Sequence, residues 1–126
     1  MLKKWLAMLL AVGFLAGCDQ KVEASLVPEM DNFHFIAQQA RENNLPIMIM
    51  FTAYHCEFCS QVDEAVLTPM MRGGLYDGYA MYIRKVNIDD GQLTFSPSET
   101  ITKFNFAKMY RADVTPTVVF VDWRGL

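Results

Sequence analysis

Cysteine and histidine are scarce in this chain, and that scarcity narrows its chemistry. Three cysteines, Cys18, Cys56 and Cys59, and two histidines, His34 and His55, stand among 126 residues. A zinc knuckle needs four ligands, and no second C-x-x-C pair is present to complete one. Cys56 and Cys59 are too close together to staple distant loops, so they do not form a structural disulfide framework. The apolar run from Trp5 to Leu15 falls short of the ~20 residues that cross a bilayer. Basic runs and aromatic–basic alternation are also absent, and the net charge is −3, which excludes nucleic acid as a partner. There are no internal repeats and no low-complexity tracts, and the length suits one domain with one core.

What is present begins with a leader. Met1-Leu2-Lys3-Lys4 is a short basic region, and the apolar stretch behind it has the length of a signal-peptide core. It ends in Leu15-Ala16-Gly17-Cys18, which resembles the lipobox of bacterial lipoproteins. That resemblance implies cleavage after residue 17, a lipid on Cys18 and attachment to a membrane. Asp19 resembles the retention signal that keeps such lipoproteins at the periplasmic side of the inner membrane in enteric bacteria. The alternative is an ordinary secretory signal with a cysteine nearby. Residues 18–30 then read as a lipidated tether, and 31–126 as the folded domain.

The domain is organised around Phe51-Thr52-Ala53-Tyr54-His55-Cys56-Glu57-Phe58-Cys59-Ser60. This stretch joins an apolar run, Pro46 to Phe51, to a helical pattern through Cys59, Val62, Val66 and Leu67, with Asp63 and Glu64 outward. The run has no alternation, as expected of a central strand buried on both faces. Residues three apart on a helix share a face. Cys56 is therefore expected at the open N-terminus, with Cys59 one turn below and close enough to bridge. Helix N-termini favour the thiolate, which is the form that attacks disulfides. Thiol–disulfide exchange follows in outline.

Around this centre the pattern predicts a helix from an Asp31 cap, with Phe33, Ile36, Ala37 and Ala40 on its buried side and a stop at Asn43-Asn44. His34 falls off that stripe. Pro69 is expected to kink or restart the helix after the cysteines. A strand is expected over 79–88 and a polar loop over 91–99. A helix is expected over about 100–111, with Ile101, Phe104, Ala107 and Met109 or Tyr110 inward. An apolar strand runs from Val114 to Val121, and Asp122-Trp123-Arg124-Gly125 looks like a hairpin turn.

The succession of helix, strand, C-x-x-C, helix, strand, helix and Thr115-Pro116-Thr117 strand resembles the thioredoxin superfamily, above all its periplasmic lipoproteins and thiol–disulfide reductases. Ala107 to Thr117 is similar to that family's passage into its cis-proline nearly position for position. The resemblance implies an α/β fold of three layers around a central mixed sheet. It also implies a cis Pro116 beside the cysteines and Thr115 backbone pairing with the substrate chain. Three positions depart from the family pattern. His55 replaces a tryptophan, Glu57-Phe58 replaces Gly-Pro, and Met50 replaces a buried proton-relay aspartate. Deprotonation of Cys59 must then use water, Glu57 or His55, and the latter two would also tune Cys56. Thioredoxin folds continue with a further strand and helix that this sequence lacks, leaving the Val118–Val121 strand with an open edge, so residues 31–126 read as a C-terminally incomplete domain and the sequence as an incomplete copy of its gene product.

Three functions compete on these residues. The first is a reductase of protein disulfides, fed by a membrane electron donor, with Cys56 attacking and Cys59 resolving and no organic cofactor or metal required. The second is a Cu(I)-binding or copper-delivery module, in which the two thiolates, His55 and nearby methionines hold the ion. The third is a redox-inert scaffold that kept the fold.

Overall fold

The apolar run after Pro46 forms the central strand β1, Ile47–Thr52, in a computed structural model that describes residues 24–126 and Gly17. Strand β1 pairs in parallel with β2, Tyr82–Asn87, and antiparallel with β5, Thr117–Val121. The sheet is therefore mixed, in the order β2-β1-β5. Side chains along a strand alternate between faces, and here both faces are covered. Ile47, Ile49 and Phe51 enter a larger core with Phe33, Ile36 and Ala40 of α1, Phe33–Asn43, and with Phe106 and Ala107 of α4, Lys103–Met109. Met48 and Met50 enter a smaller one with Val27, Cys59, Leu67 and Ile83. The expected three layers result. The absence of alternation in the sequence is the mark of a strand with a core on each side.

The helix after the cysteines comes in three pieces: α2 (Glu57–Val62), a π-helical turn (Asp63–Leu67) and α3 (Thr68–Gly73). The Thr68 N–H reaches back five residues to the Asp63 carbonyl. Pro69 follows directly, at the start of α3, where its missing N–H is harmless. The restart expected at Pro69 is thus made by one wide turn. An extra residue in a turn rotates the faces before and after it out of register. For that reason Val66, expected inward, is exposed, while Leu67 is buried. Asp63, expected outward, is drawn in and only 13% exposed.

Four other expectations are corrected. The cap of α1 is Asn32, whose side chain accepts the Phe35 N–H, while Asp31 is engaged by Lys103. Strand β2 starts at Tyr82, because the N–H groups of Tyr79, Ala80 and Met81 all turn back to the Tyr76 carbonyl. The presumed polar loop 91–99 is mostly a hairpin of β3, Gln92–Ser96, and β4, Glu99–Thr102, turned at Pro97-Ser98. Leu93 is buried in the larger core, and Phe95 stacks on Phe33 at 5.6 Å. Helix α4 accordingly starts at Lys103, with Thr102 as its cap. Ile101 belongs to β4, and the helix turns Lys103, Phe106 and Ala107 inward, leaving Phe104 and Met109 exposed.

Packing also begins earlier than residue 31. Val27 and Met30 are buried, and residues 28–30 run beside β2 through Met30 N–H to Lys85 O and Lys85 N–H to Pro28 O. Residues 27–30 of the expected tether are thus part of the fold; the signal sequence, Cys18 and Asp19 lie outside the described residues, with Gly17 alone described in that region. No described helix is long and apolar enough to cross a membrane. Among the described strands β5 bonds to β1 only, and its Val118 and Phe120 are exposed.

Candidate active site

Strand β1 delivers the chain to the site at Thr52. The following link is fastened to the end of β2: Ile88 N–H bonds to Thr52 O, and Tyr54 N–H bonds to an Asp89 carboxylate oxygen at 3.0 Å. The Tyr54 hydroxyl is held above the usual tyrosine range. Its hydrogen bond with Asp90 is the main cause, with desolvation and the charges of Asp90, Asp89 and Glu29 adding to it. His55 then takes a left-handed conformation, φ 57°, which turns the chain into the helix. For a residue with a Cβ that conformation is uncommon, and the Tyr54 anchor and the α2 cap frame it on either side.

Cys56 is the N-cap of α2, and its Sγ accepts the Cys59 N–H at 3.2 Å. The two cysteines form a disulfide across a Cα separation of 5.2 Å. Their environments differ. Cys59 is only 5% exposed and packs with Met50 in the smaller core, whereas Cys56 is half-buried at the rim. An incoming disulfide therefore meets Cys56 first. The Thr115 hydroxyl donates toward Cys56 Sγ at 3.6 Å, which brings together residues distant in sequence. The Thr115–Pro116 peptide is cis, as the resemblance implies. Glu57 and His55 are exposed, and Phe58 is 70% exposed on the same rim.

A cleft of about 520 Å³ opens beside the pair, with His55, Cys56, Glu57, Cys59, Asp63 and Lys85 among its walls. His34 stands on α1 and does not line it. Asp63 and Lys85 were not singled out by the sequence. Asp63 Oδ1 accepts the Thr68 hydroxyl at 2.8 Å, and Asp63 Oδ2 lies 3.9 Å from Lys85 Nζ. Pro69 was the one local sign of the altered turn, and nothing local marks Lys85, which arrives from β2. Among the described residues no three His, Cys, Asp or Glu side chains gather as a metal-binding group.

Comparison with known proteins agrees with this geometry. The chain belongs to the thioredoxin-like domain family, whose model matches residues 36–126. Among solved structures it is similar to the crystal structure of thioredoxin NaTrxh from Nicotiana alata, at 17% identity and a TM-score of 0.46 over 80% of this chain and 78% of that one. No curated protein sequence matches it. The family and a cysteine pair at disulfide distance fit a thiol–disulfide oxidoreductase.

Proposed function

We propose that the protein is a reductase of protein disulfides, held by a lipid on Cys18 at the periplasmic side of the inner membrane and recharged by a membrane electron donor. One observation carries the reductase reading: a reachable Cys56 sulfur, backed by a buried Cys59 and flanked by Thr115. In the reduced protein the Cys56 thiolate attacks one sulfur of a client disulfide. A Cys56–client bond forms, and the first client thiolate leaves. Cys59, after losing its proton, attacks the Cys56 sulfur and closes the intramolecular disulfide, and the second client thiolate departs. Two electrons pass to the client, and the donor must return two to Cys56–Cys59. The backbone of Thr115, beside Pro116, is suited to hold the client chain in an extended form.

The leader sequence supports the location, through Lys3-Lys4, the apolar run and Leu15-Ala16-Gly17-Cys18. The direction of electron flow is tested by equilibrating the protein with glutathione redox buffers. A reductase sits nearer the ~−270 mV of thioredoxin than the ~−120 mV of strongly oxidising C-x-x-C proteins. A value at the oxidising end would contradict the assignment.

A further inference from the structure

In the second half of that cycle a thiol buried against apolar side chains must lose a proton, and burial disfavours the charged product. The position at which the family carries its buried acid is Met50, which is fully buried and apolar. His55 and Glu57 flank Cys56 on the exposed rim. Asp63 differs from both. Its N–H bonds to the carbonyls of Cys59 and Ser60, so it stands one turn after Cys59 on the buried sulfur's side of the helix. It lines the same cleft as Cys59, and its carboxylate is held from two directions, by Thr68 at Oδ1 and by Lys85 across from Oδ2.

We propose that Asp63 is the proton acceptor for Cys59. The inference rests on the thiol–disulfide exchange reading and supplies the step that reading leaves without a base. Cys59 S–H gives its proton to the Asp63 carboxylate through the cleft, whose roughly 520 Å³ exceeds the ~30 Å³ share of a water molecule many times over. The Cys59 thiolate attacks Cys56 Sγ, the Cys56–client bond breaks, and the departing client thiolate takes up a proton from Asp63 or solvent. Lys85 keeps the carboxylate aimed into the cleft. The other charged groups around Asp63 are Glu57 and His55 toward the rim, and Glu64 and Arg72 on an adjoining cavity that Asp63 and Lys85 also line. The π turn is what makes the arrangement possible, since Thr68 reaches Asp63 only across that wide turn.

The test is the reaction of the reduced full chain with one equivalent of dithionitrobenzoate, followed by stopped flow. The first thionitrobenzoate is released when Cys56 attacks, and the second when Cys59 resolves the mixed disulfide. Asp63→Asn is expected to leave the first phase in place and slow the second by about 10²-fold, the low end of the general-base range. The slowed phase should also rise in proportion to hydroxide where the wild type has levelled off. Asp63→Glu should recover much of the rate. Thr68→Val, which releases the carboxylate without removing it, should slow the second phase a few-fold, so the proposal stays testable should Asp63→Asn fail to fold. An unchanged second phase in Asp63→Asn, an equal slowing in Glu57→Gln or Glu64→Gln, or a parallel loss of both phases would overturn it. A wild type that never releases a second thionitrobenzoate would instead overturn the exchange reading itself, and this proposal with it.

Discussion

At the scale of single residues, the cysteine pair was legible because its geometry is local. A spacing of three on a helix fixes which sulfur caps the terminus and which lies beneath. Thr115 was legible only through a family motif, since nothing in its surroundings announces a partner 59 positions earlier in the chain. Asp63 was not legible, because a carboxylate in an amphipathic helix is expected to face solvent, even though its spacing of four from Cys59 puts it on that residue's face. The acidity of Cys56 follows from the same local forces. The Cys59 N–H bonds its sulfur, and a helix terminus contributes ~0.3–1 kcal/mol, below one pKa unit. Neighbours therefore decide the rest: protonated His55 assists the thiolate and Glu57 opposes it, and both are exposed, so water and salt weaken each. Cys56 is expected to titrate below the ordinary ~8.5 of a free cysteine without becoming strongly acidic. Glu57→Gln should lower its midpoint and His55→Ala should raise it. Ultraviolet thiolate absorbance against pH in the three reduced proteins checks this, and a wild-type midpoint below about 4.5, in the range of the most oxidising pairs, would contradict it.

At the scale of elements, strands and helices with a strong period were legible, and those fixed by a distant partner were not. Strand β1 was plain from its uninterrupted apolar run, and α1 from its stripe. Helix α4 was misread because Ile101 and Phe104 mimic helical spacing, whereas Lys103 sets the helix's orientation. That lysine is 3% exposed and bonds Glu29 at 2.9 Å and Asp31 at 2.7 Å, so it ties α4 to the segment entering the domain. Burial works against its charge, but the hydrogen bonds to Asp31 and Glu29 outweigh burial and its pKa is raised. A raised folded pKa means the contribution is fully present below the unfolded value of ~10.4 and is lost as pH climbs through the higher folded one. Lys103→Ala should therefore cost about 2 kcal/mol at neutral pH, in the range of hydrogen bonds to charged groups. The electrostatic share of that deficit should shrink above about pH 10.4. Urea unfolding midpoints of both proteins at neutral and strongly alkaline pH measure it. An equal deficit at both would show that packing alone is involved.

At the scale of the whole molecule, the mixed three-layer fold was readable from element order and from one strand that is apolar on both sides. Val118 and Phe120 are exposed on β5, which pairs with β1 alone among the described strands. The proposed location rests on the leader sequence alone, and it has its own test. With the lipid proposed on Cys18, Cys18→Ser should abolish lipid modification and release the protein from the membrane fraction, because the mutant has no sulfur to carry the acyl chains that stable attachment needs. A mutant that still sediments with membranes, with no change of mass, would contradict the anchor.

The proposed exchange requires Cys56 as the attacking sulfur and Cys59 as the resolving one. Non-reducing electrophoresis of Cys59→Ser and Cys56→Ser, expressed in cells and quenched with acid and an alkylating agent, tests that division directly. Cys59→Ser should accumulate mixed disulfides with client proteins through Cys56, because the second attack is missing. Cys56→Ser should accumulate none, since its remaining sulfur is buried against Met50. Equal trapping by Cys56→Ser would contradict the assignment.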